Sequence, residues 1–209
     1  MTRRVVLATR NAHKVDELTA ILGDVVADLD LDIVGVSAYP QVADVPETEV
    51  TFAGNSLLKA RAVAAATGCP ALADDSGLAV DVLGGAPGVF SARWSGRHPG
   101  ASRAHVDAAN LALLLDQLAD VPDDHRGAAF VCAAVLALPD GRYAVAEGRL
   151  VGHLLRAPRG DGGFGYDPIF VPEGADRTTA ELTPEAKNAI SHRGRAFRAL
   201  VPDLRTLLA

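Results

Sequence analysis

Short apolar runs alternate with helix-period stretches along this chain, and that interleaving constrains its fold more than any other feature. Val5-Val6-Leu7-Ala8 reads as a short buried strand running into Thr9-Arg10-Asn11. A helix follows over 12–22, with Leu18, Ile21 and Leu22 on its apolar face and Gly23 as its stop. Ile33 to Val36 is a second strand, and 39–51, with two prolines and three acids, reads as a loop. A second helix spans 55–67, ended by Gly68 and Pro70. Ala71-Leu72-Ala73 is a strand that delivers Asp74-Asp75-Ser76-Gly77 at its tip, and Leu78 to Leu83 is a further strand. Leu111, Leu114, Leu115 and Leu118 predict a helix over 102–119. Strands over 130–138 and 143–146 flank the hairpin signal Pro139-Asp140-Gly141-Arg142. Thr183-Pro184-Glu185 starts another helix, and Phe197, Leu200 and Leu204 mark a final amphipathic one. Alternation broken by one long hairpin predicts an α/β fold with a mixed sheet.

Composition limits what such a fold can do. With 209 residues, 49% of them hydrophobic and 22% charged, the chain suits one globular domain, or two small lobes sharing a core. Its net charge of −6 opposes sequence-independent nucleic-acid binding, which needs a basic surface. No apolar run approaches the ~20 residues that span a membrane, and Val5 to Ala8 is too brief for a signal-peptide core. Cys69 and Cys132 form no C-x-x-C pair and read as reduced structural thiols. A cytoplasmic location is expected.

Four segments have residue types suited to chemistry. Thr9 to Lys14 joins a strand to a helix, and a helix N-terminus offers unpaired N–H groups and a positive dipole end to phosphate. Without glycine it is not a P-loop, and an ordinary capped helix with a surface lysine has the same spacing. Asp74-Asp75 at a buried strand end is costly unless paired or bound to metal; magnesium favours one or two carboxylates plus phosphate oxygens. A turn with a solvated acidic pair fits as well. Gly162-Gly163-Phe164-Gly165-Tyr166-Asp167-Pro168 could present Phe164 as a stacking face for a base or use it to plug the core. Lys187 with Ser191-His192-Arg193-Gly194 could grip phosphate or a base carbonyl, or simply complement a helix dipole. His98, His105, His125 and His153 lack ligand-like spacing, and Trp94 reads as packing.

Taken in order, the stretches Leu7 to Lys14, Ala73 to Leu78 continuing through Gly88, Gly162 to Pro168 and Lys187 to Gly194 resemble one family. It is the Ham1-like inosine/xanthosine triphosphate pyrophosphatases, and the resemblance covers about residues 5–200. It implies an elongated mixed β-sheet with flanking helices forming two lobes around a central cleft, within a single domain over 1–209 and usually as a homodimer. It further implies hydrolysis of non-standard purine nucleoside triphosphates (ITP, dITP, XTP) to the monophosphate and pyrophosphate, with magnesium. Thr9, Arg10, Asn11, Ala12, His13 and Lys14 would bind the triphosphate. Asp75 would be proton acceptor and magnesium ligand, with Lys14 neutralising phosphate charge and Ser76 contacting substrate. Phe164, Gly165, Tyr166, Asp167, Lys187, His192 and Arg193 would form the nucleotide pocket. Where many relatives read T-F-x-E-N, this chain has Thr51-Phe52-Ala53-Gly54-Asn55. Gly54 offers no carboxylate, so Glu47 or Glu49 would supply the second one, with Glu47 the expected ligand.

The expected step is attack of water on the α-phosphorus with pyrophosphate leaving. Hydrogen bonds to the purine 6-oxygen would set substrate choice. Rival readings are a nucleotide sensor without catalysis, and a pyrophosphatase for modified pyrimidine or ordinary nucleotides.

Overall fold

The computed structural model describes residues 2–209, side chains included except those of Ala12 and His13. Six strands make one sheet: β1 (Arg3–Leu7), β2 (Leu31–Gly35), β3 (Ala71–Val80), β4 (Gly127–Ala137), β5 (Tyr143–Leu154) and β6 (Phe170–Pro172). Their order is β2-β1-β3-β4-β5-β6. β1 runs parallel to β2 and to β3, in register Val6↔Ala71 and Leu7↔Leu72, whereas β5 and β6 pair antiparallel. The sheet is therefore mixed and the fold α/β, as the interleaving predicts.

By compactness the chain divides into two units. The first holds the chain up to Asp75, Cys132–Gly148 and Arg193–Ala209; the second holds Ser76–Val131 and Arg149–His192. In the first unit, alternate residues of one strand feed two cores. Val5 and Leu7 join Leu72, Cys132, Leu136 and the helices α1 (Ala12–Ile21), α6 (His192–Ala199) and α7 (Val201–Leu208) through Leu18, Phe197 and Leu204, with Leu200 at the junction of the last two. Val6 joins Ala71, Ala73 and Val135 against Ala60, Val63 and Ala64 of α3 (Phe52–Thr67). A strand with both faces covered needs an unbroken apolar run, which is what Val5 to Ala8 provides. Each fully buried Leu or Val there contributes about 1.5–3 kcal/mol.

The core of the second unit gathers Leu78, Val80, Leu114, Leu118, Leu150, Leu154, Ile169 and Phe170 around α4 (Arg103–Gln117). Ser102 caps that helix, accepting from the His105 N–H at 3.3 Å. Buried Arg126 donates to the carbonyls of Leu118, Leu154 and Leu155 at 2.7–2.9 Å, tying the C-terminal end of α4 to that of β5.

Several boundaries differ from the sequence expectation. The first helix ends at Ile21, just before Gly23 as expected, but a second helix, α2 (Gly23–Asp28), follows at once instead of a loop and buries Val25 beside Leu18 and Leu22. The final helix is two, α6 and α7, since Pro202 at the start of α7 lacks the N–H to continue the turn. Residues 71–80 form one strand, not two runs separated by a turn. β5 continues to Leu154, and the three-residue β6 carried too little pattern to be read. α5 (Pro184–Ile190) begins as expected, with Thr183 accepting from the Ala186 N–H at 3.3 Å. Among the described residues no helix is long and apolar enough to cross a membrane.

Candidate active site

In the first unit, β1 ends at Leu7 beside Leu72, and β3 runs on past that point to carry Asp74 and Asp75. The backbone turns after Leu7, and Thr9 Oγ1 accepts from the Asn11 N–H at 3.2 Å, shaping the entry to α1. Lys14, in the first turn of α1, lies 3.7 Å from Asp74 on β3. The Asp74 side chain is only 7% exposed, and one of its oxygens accepts from Nε and Nη2 of Arg193 at 3.1 and 3.0 Å. Arg193 also reaches Glu17 at 3.3 Å. Burial opposes ionisation of Asp74, but the charges of Arg193, Lys14 and Lys59 outweigh it. Its carboxyl is held well below the usual carboxylate range.

Asp75 has a different environment. Its carboxylate accepts from Nδ2 of fully buried Asn55 at 3.1 Å and from Lys59 at 3.5 Å. Lys59 also donates to Glu47 at 3.0 Å, so a single ammonium bridges the two carboxylates. Burial and the nearby Glu47 charge raise the Asp75 carboxyl above its ordinary value, against Lys59 and Asn55. Lys59 itself is raised: burial works against its charge, but Asp75 and Glu47 more than compensate. The adjacent aspartates are thus unlike, one locked in an ion pair and the other with raised proton affinity.

Asn55 and Lys59 were not among the expected site residues. Their signal was present: a four-residue spacing places both on one face of the helix that Thr51 caps, with Thr51 Oγ1 accepting from Gly54 N–H at 3.0 Å. The side-chain Oδ1 of Asn55 also accepts from Glu49 N–H at 2.9 Å, pinning the loop that carries Glu47. Gly54 has a steric reason: a Cβ there would come within 2.8 Å of Glu49 Cβ. Arg10 turns to the same loop, donating to Asp44 at 2.9 Å and to the Val42 carbonyl at 2.6 Å. The side chains of Ala12 and His13 lie outside the described residues.

In the second unit the glycine-rich loop presents Phe164 to solvent at 61% exposure, so the ring does not plug the core. Lys187 lies over it, 4.8 Å from the ring centroid, and pairs with Asp167. Gly165 takes a left-handed φ of +61° that follows the ring with a tight bend. Tyr166 and Asp167 are buried, and Tyr166 donates to the Ser91 carbonyl at 2.9 Å. His192 stacks on Phe130, with centroids 5.1 Å apart and planes at 16°. Trp94 packs against the core, donating to Gln117 at 2.8 Å, and His98 meets Ser95 at 2.9 Å. Ser76 continues β3 and is half-buried.

A family model described as the Ham1 family matches residues 5–203. The chain belongs to the Ham1 family. Among Ham1-family relatives, a dITP/XTP pyrophosphatase of Streptomyces coelicolor is 65% identical over 98% of this chain and 98% of its own length. One of Nocardia farcinica is 55% identical over 98% and 96%. A crystal structure of a nucleoside-triphosphatase, dITP/XTP pyrophosphatase, from Mycobacterium abscessus superposes with a TM-score of 0.78 at 52% identity, covering 95% of this chain and 99% of that one. A HAM1 protein from Coxiella burnetii reaches a TM-score of 0.86 at 40% identity over 98% and 99%.

Proposed function

We propose that this chain hydrolyses non-standard purine nucleoside triphosphates, dITP, ITP and XTP, to the nucleoside monophosphate and pyrophosphate, removing them from the nucleotide pool. The observation that carries the reading is the Asp75–Lys59–Glu47 cluster, in the same unit as the Lys14–Asp74–Arg193 ion pairs. A sensor that only held a triphosphate would gain nothing from a carboxylate with raised proton affinity beside Lys59 and Glu47. Relatives named dITP/XTP pyrophosphatases support the substrate class.

Asp75 accepts a proton from the attacking water, and a carboxylate whose proton affinity burial and Glu47 raise is the stronger base for that work. Lys14, held in orientation by Asp74, neutralises charge growing on the phosphate oxygens. The donor set fits magnesium: Asp75 and Glu47 are hard oxygen ligands sharing one ammonium, which leaves negative charge for a divalent ion and for phosphate oxygens to complete. Held there, the ion would supply charge neutralisation at the transferring phosphoryl group. Arg10, whose guanidinium holds the 42–44 loop, and Thr9 and Asn11, which shape the turn before α1, complete the phosphate-binding segment. Arg193 serves it by fixing Asp74. Phe164 and Lys187 in the second unit provide a stacking face and a cation for the nucleotide, and His192 a ring donor for the purine 6-oxygen.

A cytoplasmic homodimer belongs to the same reading; the free thiols Cys69 and Cys132 favour a reducing compartment. Pyrophosphate release with magnesium and a panel of ITP, XTP, dITP, GTP and dUTP tests the assignment. Turnover should favour the first three by orders of magnitude. Binding of ITP without pyrophosphate release would make the chain a sensor, and a preference for dUTP or GTP would reassign its substrate.

A further inference from the structure

We infer that Thr179 is a positioning residue for nucleotide binding, acting through Asp167 on Lys187 and Phe164; the inference rests on the assignment of those two side chains to the substrate. Asp167 is only 3% exposed, so a ligand gains little access to its carboxylate. Every contact it makes is internal. One oxygen accepts from Thr179 Oγ1 at 2.8 Å; the other accepts from the Phe164 N–H at 2.8 Å and from the Lys187 ammonium. Thr179 is 1% exposed and its hydroxyl also reaches the Asp167 carbonyl at 3.2 Å. A carboxylate with three donors of differing origin has one orientation, and that orientation sets two exposed groups at once. It fixes the backbone from which the Phe164 ring projects, and it holds Lys187 over that ring.

The flanking residues lock the same arrangement. Thr178 Oγ1 donates to the Arg159 carbonyl at 2.7 Å, Gly162 N–H donates to the Ala180 carbonyl at 3.0 Å, and Glu181 accepts from Arg159 at 2.9 Å. Residues 178–181 thus fasten both the start of the glycine-rich loop and, through Thr179, its functional end. Gly163 shows how closely the carboxylate is enclosed: a Cβ there would lie 2.2 Å from the Asp167 oxygen, at a φ of +71°. Removing the Thr179 hydroxyl leaves one buried lone pair unmet and frees the carboxylate to rotate, which is a loss of preorganisation rather than of a ligand contact.

The test is steady-state kinetics of the full chain with ITP and magnesium. Thr179→Val keeps the shape and deletes the hydroxyl. KM should rise about tenfold with kcat nearly unchanged, and Thr179→Ser, which restores the donor, should return KM to the parent value. In a Lys187→Met background Thr179→Val should add little, because its effect passes through the lysine; a purely structural role would add in full. Gly163→Ala, pressing on the same carboxylate from the other side, should reproduce the KM rise if Thr179→Val fails to fold. An unchanged KM in Thr179→Val, or no rescue by serine, overturns the inference while Phe164→Ala and Lys187→Met still raise KM. If those two also leave KM unchanged, the site assignment itself falls.

Discussion

Asp74 and Asp75 are neighbours in sequence, yet their surroundings give them opposite pH behaviour. Asp74 has its folded pKa below the ordinary carboxylate value of ~3.9. Its ion pair therefore contributes stability above that value, and the contribution is lost as pH falls through the lower folded value. Asp74→Asn should cost about 3 kcal/mol in urea unfolding at pH 7, since Arg193, its side chain 13% exposed, would lose this partner and keep Glu17 at 3.3 Å. Asp75 has the reverse sign. Its folded pKa is raised, so its contribution is present below the unfolded pKa and is lost as pH rises through the folded one. Asp75→Asn should then melt at the same temperature as the parent or higher at pH 7, while losing about 10² to 10⁴-fold in kcat. Pyrophosphate release and calorimetry on one preparation check both halves; a variant that is active, or inactive because unfolded, contradicts the assignment. Lys14→Ala should lose about 10²-fold or more in kcat/KM, measured with ITP, by removing charge from the phosphate site.

The strand that carries these residues was read from the sequence in pieces, and its glycine explains why. Asp, Ser and Gly in succession are the residues of a turn, but residues 71–80 form one continuous strand. Gly77 is required there by close approach: a Cβ would come within 2.4 Å of Ser91 Oγ and 2.6 Å of the Gly88 carbonyl oxygen. Local composition cannot separate a turn glycine from a contact glycine, because the neighbour lies eleven or more residues away in the chain. The same limit hid Lys59 and Asn55, whose roles depend on Asp75, sixteen and twenty residues on, and on a loop that the sequence showed only as irregular. The turn from β1 into α1 and the Thr183 cap were legible, since both follow local rules. Gly77→Ala should destabilise by about 1–3 kcal/mol through overpacking, and Leu78 would lose its hydrogen bond to Ser91 Oγ, now 2.9 Å, if the serine moved aside. Denaturant unfolding measures it, and a neutral substitution would show that the neighbouring turn yields freely.

At the scale of the whole molecule, the interleaving of apolar runs and helices sufficed for the fold class, because each apolar strand needs cover on both faces and only flanking helices supply it. That cover makes Cys132 a reporter of global stability. The thiol lies in the core of the first unit between β1 and α6 residues, and burial first, then the Asp74 charge, raise it above its ordinary value. A buried, protonated thiol does not attack a disulfide reagent, so modification must wait for an opening that unpacks Leu7, Leu136 and Phe197. In a Cys69→Ser background the remaining thiol should react only after such an opening, with a rate that follows the unfolding equilibrium when closing is fast. A ligand that binds the folded state alone lowers that rate in proportion to its saturation, about 100-fold at a hundred times its Kd. An α,β-methylene analogue of ITP should therefore slow labelling of Cys132 steeply with concentration, and the same analogue of ATP should do so only at much higher concentration. Labelling as fast as for an exposed cysteine would mean that the β4 core is not closed. Protection by both analogues alike would mean that the chain holds triphosphates without reading the purine.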